Sequence, residues 1–400
     1  MFKMALAEES DQYNRISGNR WVMLLVSLFA FMAYAFVFQS LPPLLNELQG
    51  VFGVDDAAAG FLMSFVVVPG IFLALPAGVL INKFGFRRLS FISIISVAIG
   101  SLVTAFSTTF LVALVGRLIL GVGGCFVTVG IPTFIPQWFE RGEMGRATGV
   151  YAVGMPIATT SAFFAAPILA QSFGWQSPFY IGFIVSMVSA VLFLPMVKEG
   201  PLKGSVAAVE YSEIKRALTG GEVWKISVVW MFFSMASIGF LTWAPKLFVL
   251  FKNLTPVSAS ILSSGLMIAA FFVTPFYGLA SDRLGRRKPF IIAGAFVMAL
   301  SLFVIGYAYD LSLTASIIML GVSASAVPPF VMAIIAQSLS PKLVGTGFGI
   351  ATLWQYIGIT VAAPLVGYFL QTTQSLPLTF LSMSAFALAS AVTAITLRAK

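Results

Sequence analysis

Histidine is absent from this 400-residue chain, and cysteine occurs once, at position 125. Without histidine there is no imidazole to ligate a metal or to change charge near neutral pH. A single cysteine excludes an intrachain disulfide, and Cys125, set in an apolar run, reads as a small buried residue. Charge is also scarce: 23 Lys and Arg with 14 Asp and Glu amount to 9% of the residues. That is too little to cover a soluble domain. All 14 acids fall in the N-terminal stretch, in connecting segments or at the ends of apolar runs, so no spanning core holds a carboxylate. Phosphate loops, clustered metal ligands and nucleophile–base motifs are missing, so no enzyme chemistry, cofactor or metal is expected. Residues 1–20 carry Glu8, Glu9, Asp11, Arg15 and Arg20 and lack the apolar core of a cleavable leader.

What is present is hydrophobicity: 59% of residues are hydrophobic and the mean hydropathy is +0.99. Apolar stretches of about 20 residues recur, each long enough to cross roughly 30 Å of hydrocarbon as a helix. They predict helices over 21–44, 57–80, 89–106, 110–137, 148–170 and 178–197, then over 225–249, 258–280, 289–309, 313–339, 347–371 and 377–397. The chain therefore divides into a tail (1–20), a six-helix bundle (21–197), a polar linker (198–224), a second bundle (225–397) and a short C-terminus (398–400). A short surface helix is expected through Tyr211–Leu218 of the linker.

The net charge of +9 does not imply nucleic acid. With the N-terminus cytoplasmic, 20 of the 23 Lys and Arg fall on that side, leaving Lys246 and Lys252 outside and Arg117 within a helix. This bias predicts a multi-pass protein of a plasma or inner membrane with both termini cytoplasmic.

Two turns repeat at an offset of 200 residues. The first reads Gly78-Val-Leu-Ile-Asn82-Lys83-Phe-Gly85-Phe-Arg87-Arg88 and the second Gly278-Leu-Ala-Ser-Asp282-Arg283-Leu-Gly285-Arg286-Arg287-Lys288. Gln137, Gly145 and Gly149 recur as Gln337, Gly345 and Gly349 in the same register. Such spacing marks an internal duplication. Physically, the turn must be tight at Gly85 and Gly285, permit close helix approach at Gly78 and Gly278, and hold Arg87, Arg88, Arg286 and Arg287 at the membrane surface.

Two sixes of helices, with Gly-x-x-x-Asp-Arg-x-Gly-Arg-Arg after the second helix of each, resemble the major facilitator superfamily over the whole chain. The second copy fits the signature, whereas the first has Asn82 in place of the usual Asp and Phe86 in place of a base. The resemblance implies an all-α fold of twelve helices in two pseudo-symmetric bundles and transport by alternating access. It also implies that the turns latch the cytoplasmic side, with Asp282 beside a helix N-terminus or paired with Arg146, and Arg283 among the bases. Asn82 carries no charge, so the latch from the first half should be the weaker one.

In this family the solute sits at mid-membrane between the halves, along helices 1, 4, 7 and 10 with contributions from 5 and 11. On those helices lie Tyr34, Phe38 and Gln39; Arg117; Thr159 and Thr160; Phe233, Ser237, Phe240 and Trp243; and Trp354, Gln355 and Tyr356. Arg117 lies about 10 Å below the start of its helix at 1.5 Å per residue. A guanidinium at that depth needs a partner. Two partners are open: an anionic solute, or backbone carbonyls of helix 5. Lys246 near the end of helix 7 either snorkels or draws anions inward. Glu47, at the end of helix 1, is the acid closest to a cavity.

The expected function is secondary or facilitative transport of a small anionic solute by a monomer in the bilayer. The segment Trp138-Phe-Glu140-Arg141-Gly-Glu-Met-Gly145-Arg146-Ala, with Phe173-Gly174-Trp175-Gln176, is similar to the anion-porter branches: nitrate/nitrite, cyanate-type and organic-acid porters. Nitrate porters carry arginines in helices 2 and 8, which are missing here, and this argues against a true nitrate carrier. The alternative is an exporter of amphipathic or cationic compounds, suggested by 14% aromatics and the Gly116-Arg117 pair. Met155 interrupts the exporters' Gly-Pro signature before Pro156, and no acid is present to receive a cation. A sensor that binds without carrying would need a soluble domain for which the chain has no room.

Overall fold

The computed structural model describes residues 19–139, 142–199, 221–284, 287–339 and 343–397. Among these, twelve helices are long and apolar enough to span a bilayer. They are α1 (Arg20–Phe52), α2 (Asp56–Ile81), α3 (Phe86–Ala105), α4 (Phe110–Trp138), α5 (Met144–Phe173) and α6 (Ser177–Met196), then α7 (Gly221–Lys252), α8 (Pro256–Leu279), α9 (Lys288–Ile305), α10 (Asp310–Ser338), α11 (Gly345–Thr373) and α12 (Leu376–Ile395). The helices form two six-membered halves. The linker helix expected at Tyr211–Leu218 lies outside the described residues, as do Gly285 and Arg286 and the side chains of Asn82, Asp282 and Arg283.

Proline and glycine break some helices and not others. Helix geometry lapses at Ser40–Leu41 before Pro42-Pro43, at Phe65–Val67 before Pro69, at Val153 before Pro156 and at Ser325–Ala326 before Pro328-Pro329. A proline ring clashes with the preceding turn and supplies no N–H, so the helix ends just before it. Pro76, Pro132, Pro136 and Pro364 are instead carried inside continuous helices. Hydroxyls buried in the apolar interior turn back on their own helices: Ser27 donates to the Met23 carbonyl at 2.8 Å and Thr104 to that of Gly100 at 2.8 Å. Each satisfies a polar group that lipid cannot.

Within the first half α3 lies along α4, and within the second α9 lies along α10 and α12, with α7 packed against α11 and α12. Small residues set the separation. A Cβ on Gly116 of α4 would stand 2.6 Å from the Thr104 hydroxyl oxygen and 2.8 Å from its backbone nitrogen on α3. The halves meet through α2 with α11 and through α5 with α8. These two contacts exchange when the halves are swapped, which is the pseudo-twofold relation of the duplicated sequence.

The two ends of the bundle differ. Among the described residues, every hydrogen bond crossing between halves lies toward the end opposite the termini: Ser64 to the Thr360 and Ile359 carbonyls (2.7 and 3.4 Å), Gln371 to Asp55 (3.2 Å), and Lys246 to both Asp56 and Gln49. At the end bearing the termini, the basic turns bond within their own half. The Arg87 guanidinium donates to the Leu194 carbonyl of α6 at 2.6 Å, Arg287 to Ala333 of α10 at 2.8 Å, and Lys288 to Leu397 beyond α12 at 2.6 Å. Cations therefore neutralise helix C-termini, where the dipole is negative. Glu199 accepts from the Phe86 and Arg87 amides at 3.0 and 3.1 Å and caps α3. Its carboxylate fills the space where a side chain on Gly85, at φ 91°, would stand. The close helix approach expected at Gly78 and Gly278 is not made in this arrangement: no described atom lies within 4 Å of a Cβ at either position. Arg88 and Arg146 are exposed there.

Candidate functional site

Midway along the bundle, a polar cluster is assembled around Arg117, whose side chain is 0% exposed. Its Nη1 donates to the Val37 carbonyl of α1 at 3.2 Å, and its guanidinium carbon lies 5.6 Å from the Phe179 ring centroid of α6. The backbone partner is thus on α1; of the two partners the sequence left open, the α5 carbonyls are not used among the described residues. The reason lies in helix rotation: Gly124, seven residues on and on the same α4 face, is the glycine that leaves room for the Tyr34 ring of α1. Arg117 Nε and Nη2 have no hydrogen-bond partner among the described residues. Two buried cationic nitrogens, bearing three N–H between them, are therefore held ready, and leaving such donors unmade is costly.

Phenols surround this centre. Tyr34 stacks on Phe38, with centroids 6.0 Å apart and planes 6° from parallel, and lies in electrostatic reach of Arg117. Tyr151 of α5 packs on Phe31 at 5.1 Å and donates to the Thr128 carbonyl of α4 at 3.3 Å. Tyr356 comes from the other half: its ring occupies the space left by Gly70 on α2 and is in electrostatic reach of Tyr34, Tyr151 and Cys125. Tyr34 thus stands between the Arg117 guanidinium, held within the first half, and the phenols of Tyr151 and Tyr356, the last of which comes from the second half. The guanidinium and the Tyr34 and Tyr356 phenols can donate to a negatively charged guest, whereas the Tyr151 proton is engaged by the Thr128 carbonyl.

Other expected positions separate into groups. Gln39 is fully buried and its amide donates at 3.3 Å to Thr159, not to its half-buried neighbour Thr160. The Gln39 Oε1 atom has no described partner. Ser237 is buried with its hydroxyl unpartnered among described residues, and Phe233 stacks on Trp230 at 5.3 Å. Phe240 does not join the site, because its ring lies 6.2 Å from Phe380 of α12 and 6.5 Å from Phe248, in the core of the second half. Trp243 donates to the Ala363 carbonyl at 2.9 Å and ties α7 to α11. Trp354 packs edge-on against Trp224 at 5.4 Å and, with Gln355, is half-buried.

The sequence reading missed the contact between Lys246 and Asp56. Lys246 is 8% exposed and its ammonium bonds the Asp56 carboxylate of α2 at 2.5 Å as well as Gln49. It does not snorkel. The available signal was that both charges stand at the same end of their helices, one in each half. Glu47 is exposed and, with Lys246, lines a cavity of about 320 Å³ at that end. Tyr151 and Cys125 carried no signal of their own.

The Major Facilitator Superfamily model matches residues 23–255 and 249–400, and the chain belongs to that family. It is accordingly a multi-pass membrane protein whose function is transmembrane solute transport. A probable nitrate transporter, NarT, of Staphylococcus carnosus is 26% identical over 383 residues, covering 95% of this chain and 96% of that one. A nitrite extrusion protein of Bacillus subtilis is 23% identical over 279 residues, 69% of this chain and 70% of that one. In fold, the chain is similar to a D-xylose–proton symporter, with a TM-score of 0.79 at 16% identity over 95% of this chain and 98% of that one. It is also similar to a bacterial homologue of the lysosomal transporter Spinster in an inward-facing state, with a TM-score of 0.71 at 16% identity over 95% of this chain and 94% of that one.

Proposed function

We propose that the chain carries a small monovalent anion by alternating access, with Arg117 and the tyrosines Tyr34, Tyr151 and Tyr356 as the central binding group. The carrying observation is the buried guanidinium whose Nε and Nη2 have no partner and which forms no ion pair among the described residues. An anion arriving from either side gains charge-assisted bonds that the protein leaves unmade. Gln39, Thr160, Ser237, Phe233 and the α11 residues Trp354 and Gln355 line the approach. Relatives named as nitrate and nitrite carriers support the anionic class. No arginine lies within Asp56–Ile81 or Pro256–Leu279, so recognition rests on Arg117.

The cation bias places both termini in the cytoplasm of a cell membrane. The end joined by Lys246 and Asp56 is then the outer one, and the arrangement faces inward. The halves, 21–197 and 225–397, rock about the site as a monomer joined by the linker 198–224. The turns at residues 78–88 and 278–288, with Arg146, release their own-half carbonyls and close the inner side in the opposite state. No buried carboxylate or histidine is offered as a proton carrier, so the scheme is uniport, anion exchange, or entry of a proton on the solute itself. Neither catalysis nor nucleic-acid binding has a part in it.

A thermal-shift panel tests the class of solute. Nitrate, nitrite and small carboxylates are expected to stabilise the detergent-purified protein, by about 2.7 kcal/mol at 100 times the dissociation constant. Stabilisation by lipophilic cations alone would contradict the reading. An exported cation would find no carboxylate within the described spanning cores, and Asp56, at the outer end of α2, is already paired with Lys246.

A further inference from the structure

The Lys246 ammonium is anchored by Asp56 and Gln49, and the same residue lines a cavity. Its carboxylate partner, Asp56, also accepts from Gln49 Nε2 at 2.9 Å, so the three side chains form one closed network across the halves. An ammonium has three N–H groups, and Asp56 and Gln49 take two of them. The cavity of about 320 Å³ is lined by Lys246 together with Pro43, Asn46, Glu47, Gln171 and Pro245, and Asp56 is not part of that lining. A guest in the cavity therefore meets Lys246 without meeting the carboxylate that holds it. Lys246 is also the cavity's only basic side chain, and the Trp243 ring 5.8 Å from its nitrogen fixes it in place.

We propose that Lys246 is a second anion-binding station, at the outer mouth of the pathway, where the incoming anion competes with Asp56. The inference rests on the anion-transport reading above. Among the described residues, Lys246–Asp56 is the one ion pair joining the two halves. An anion that engages the third N–H and draws the ammonium toward the cavity weakens that pair. Its binding free energy then goes into separating the halves at this end, so that arrival of cargo and opening of the mouth are coupled. Glu47, exposed on the same cavity, opposes multiply charged anions and narrows the choice to monovalent ones.

The test uses the full chain bearing Ala59→Cys, since Ala59 is 0% exposed one turn inside Asp56 on α2. Reaction with a membrane-impermeant maleimide is timed in sodium nitrate and in sodium gluconate at equal ionic strength. The unsubstituted chain, with buried Cys125 alone, serves as the blank. Nitrate is expected to speed labelling at least fivefold. The same gain should persist with Arg117→Ala, because the station is separate from the central site. With Lys246→Gln or Asp56→Asn the mouth is unlatched, so labelling should be fast in both salts. Equal rates in nitrate and gluconate for the Ala59→Cys chain, or a nitrate response that survives Lys246→Gln, would overturn the proposal. If nitrate stabilises the protein through Arg117 while labelling stays indifferent to it, the second station fails and the transport reading stands. If neither response is seen, both fall.

Discussion

Replacing Arg117 with alanine should lower anion uptake into vesicles at least 100-fold. The size follows from the two nitrogens, Nε and Nη2, that have no described partner and can each donate to the anion. Hydrogen bonds to a charged group contribute roughly 1.5–3 kcal/mol each. Losing two of them exceeds the roughly 2.8 kcal/mol that corresponds to 100-fold at about 1.4 kcal/mol per tenfold. The side chain also has a scaffolding part, through Val37 O at 3.2 Å and the Phe179 ring, so the variant will be less stable even without ligand. The discriminating quantity is therefore the anion-induced rise in Tm, which should vanish in Arg117→Ala whatever happens to the ligand-free Tm. Arg117→Lys should recover part of the ligand-free stability and little of the uptake, since an ammonium is a point charge without the planar fork. Unchanged uptake in Arg117→Ala would remove this residue from the site.

Gly60→Val should abolish transport by a different route. Gly60 lies on α2 where it crosses α11. A Cβ there would stand 2.6 Å from the Ala363 carbonyl carbon and oxygen and from the Pro364 nitrogen. All three are backbone atoms, so the strain cannot be relieved by turning a side chain. Overpacking of this kind typically costs about 1–3 kcal/mol. Because it falls between the halves, each half keeps its own packing and the strain is relieved by parting them. Expression and folding should be near normal, with turnover at least 10-fold lower. The pair Asp55→Cys and Gln371→Cys, whose native side chains bond at 3.2 Å, should cross-link in the Gly60 background and fail to do so with Gly60→Val. Efficient cross-linking in both would show that this end closes without the glycine.

Much of the architecture was written in hydropathy and in the repeat. Charge-free runs located all twelve helices because a lipid-facing helix announces itself by composition, and the 200-residue register of the basic turns fixed the relation between the halves. Helix ends were less legible: the first span continues past 44 to Phe52 through the 3₁₀ turn at Pro42–Leu44, and the seventh begins at Gly221 rather than 225. The site was legible in part. Arg117 stood out because charge in hydrocarbon is costly wherever it points. Phe240 misled, since a helical stripe of aromatics reads the same whether it faces a cavity or a neighbouring helix, and here it faces Phe380. Lys246 and Asp56 are 190 residues apart, and no local pattern announces that two helix-end charges from different halves will be buried together. The roles of Gly78 and Gly278 depend on conformation, and a sequence does not record which state is adopted.

Counterflow in proteoliposomes tests the central claim most directly. Vesicles holding the purified protein are loaded with millimolar unlabelled nitrate or nitrite, diluted into trace isotopically labelled anion, and followed with no ion gradient imposed. The account predicts transient accumulation of label above the equilibrium level, absent from protein-free vesicles and from those with Arg117→Ala. Accumulation that never exceeds the protein-free control across nitrate, nitrite and small carboxylates, in vesicles whose protein is folded, would contradict it.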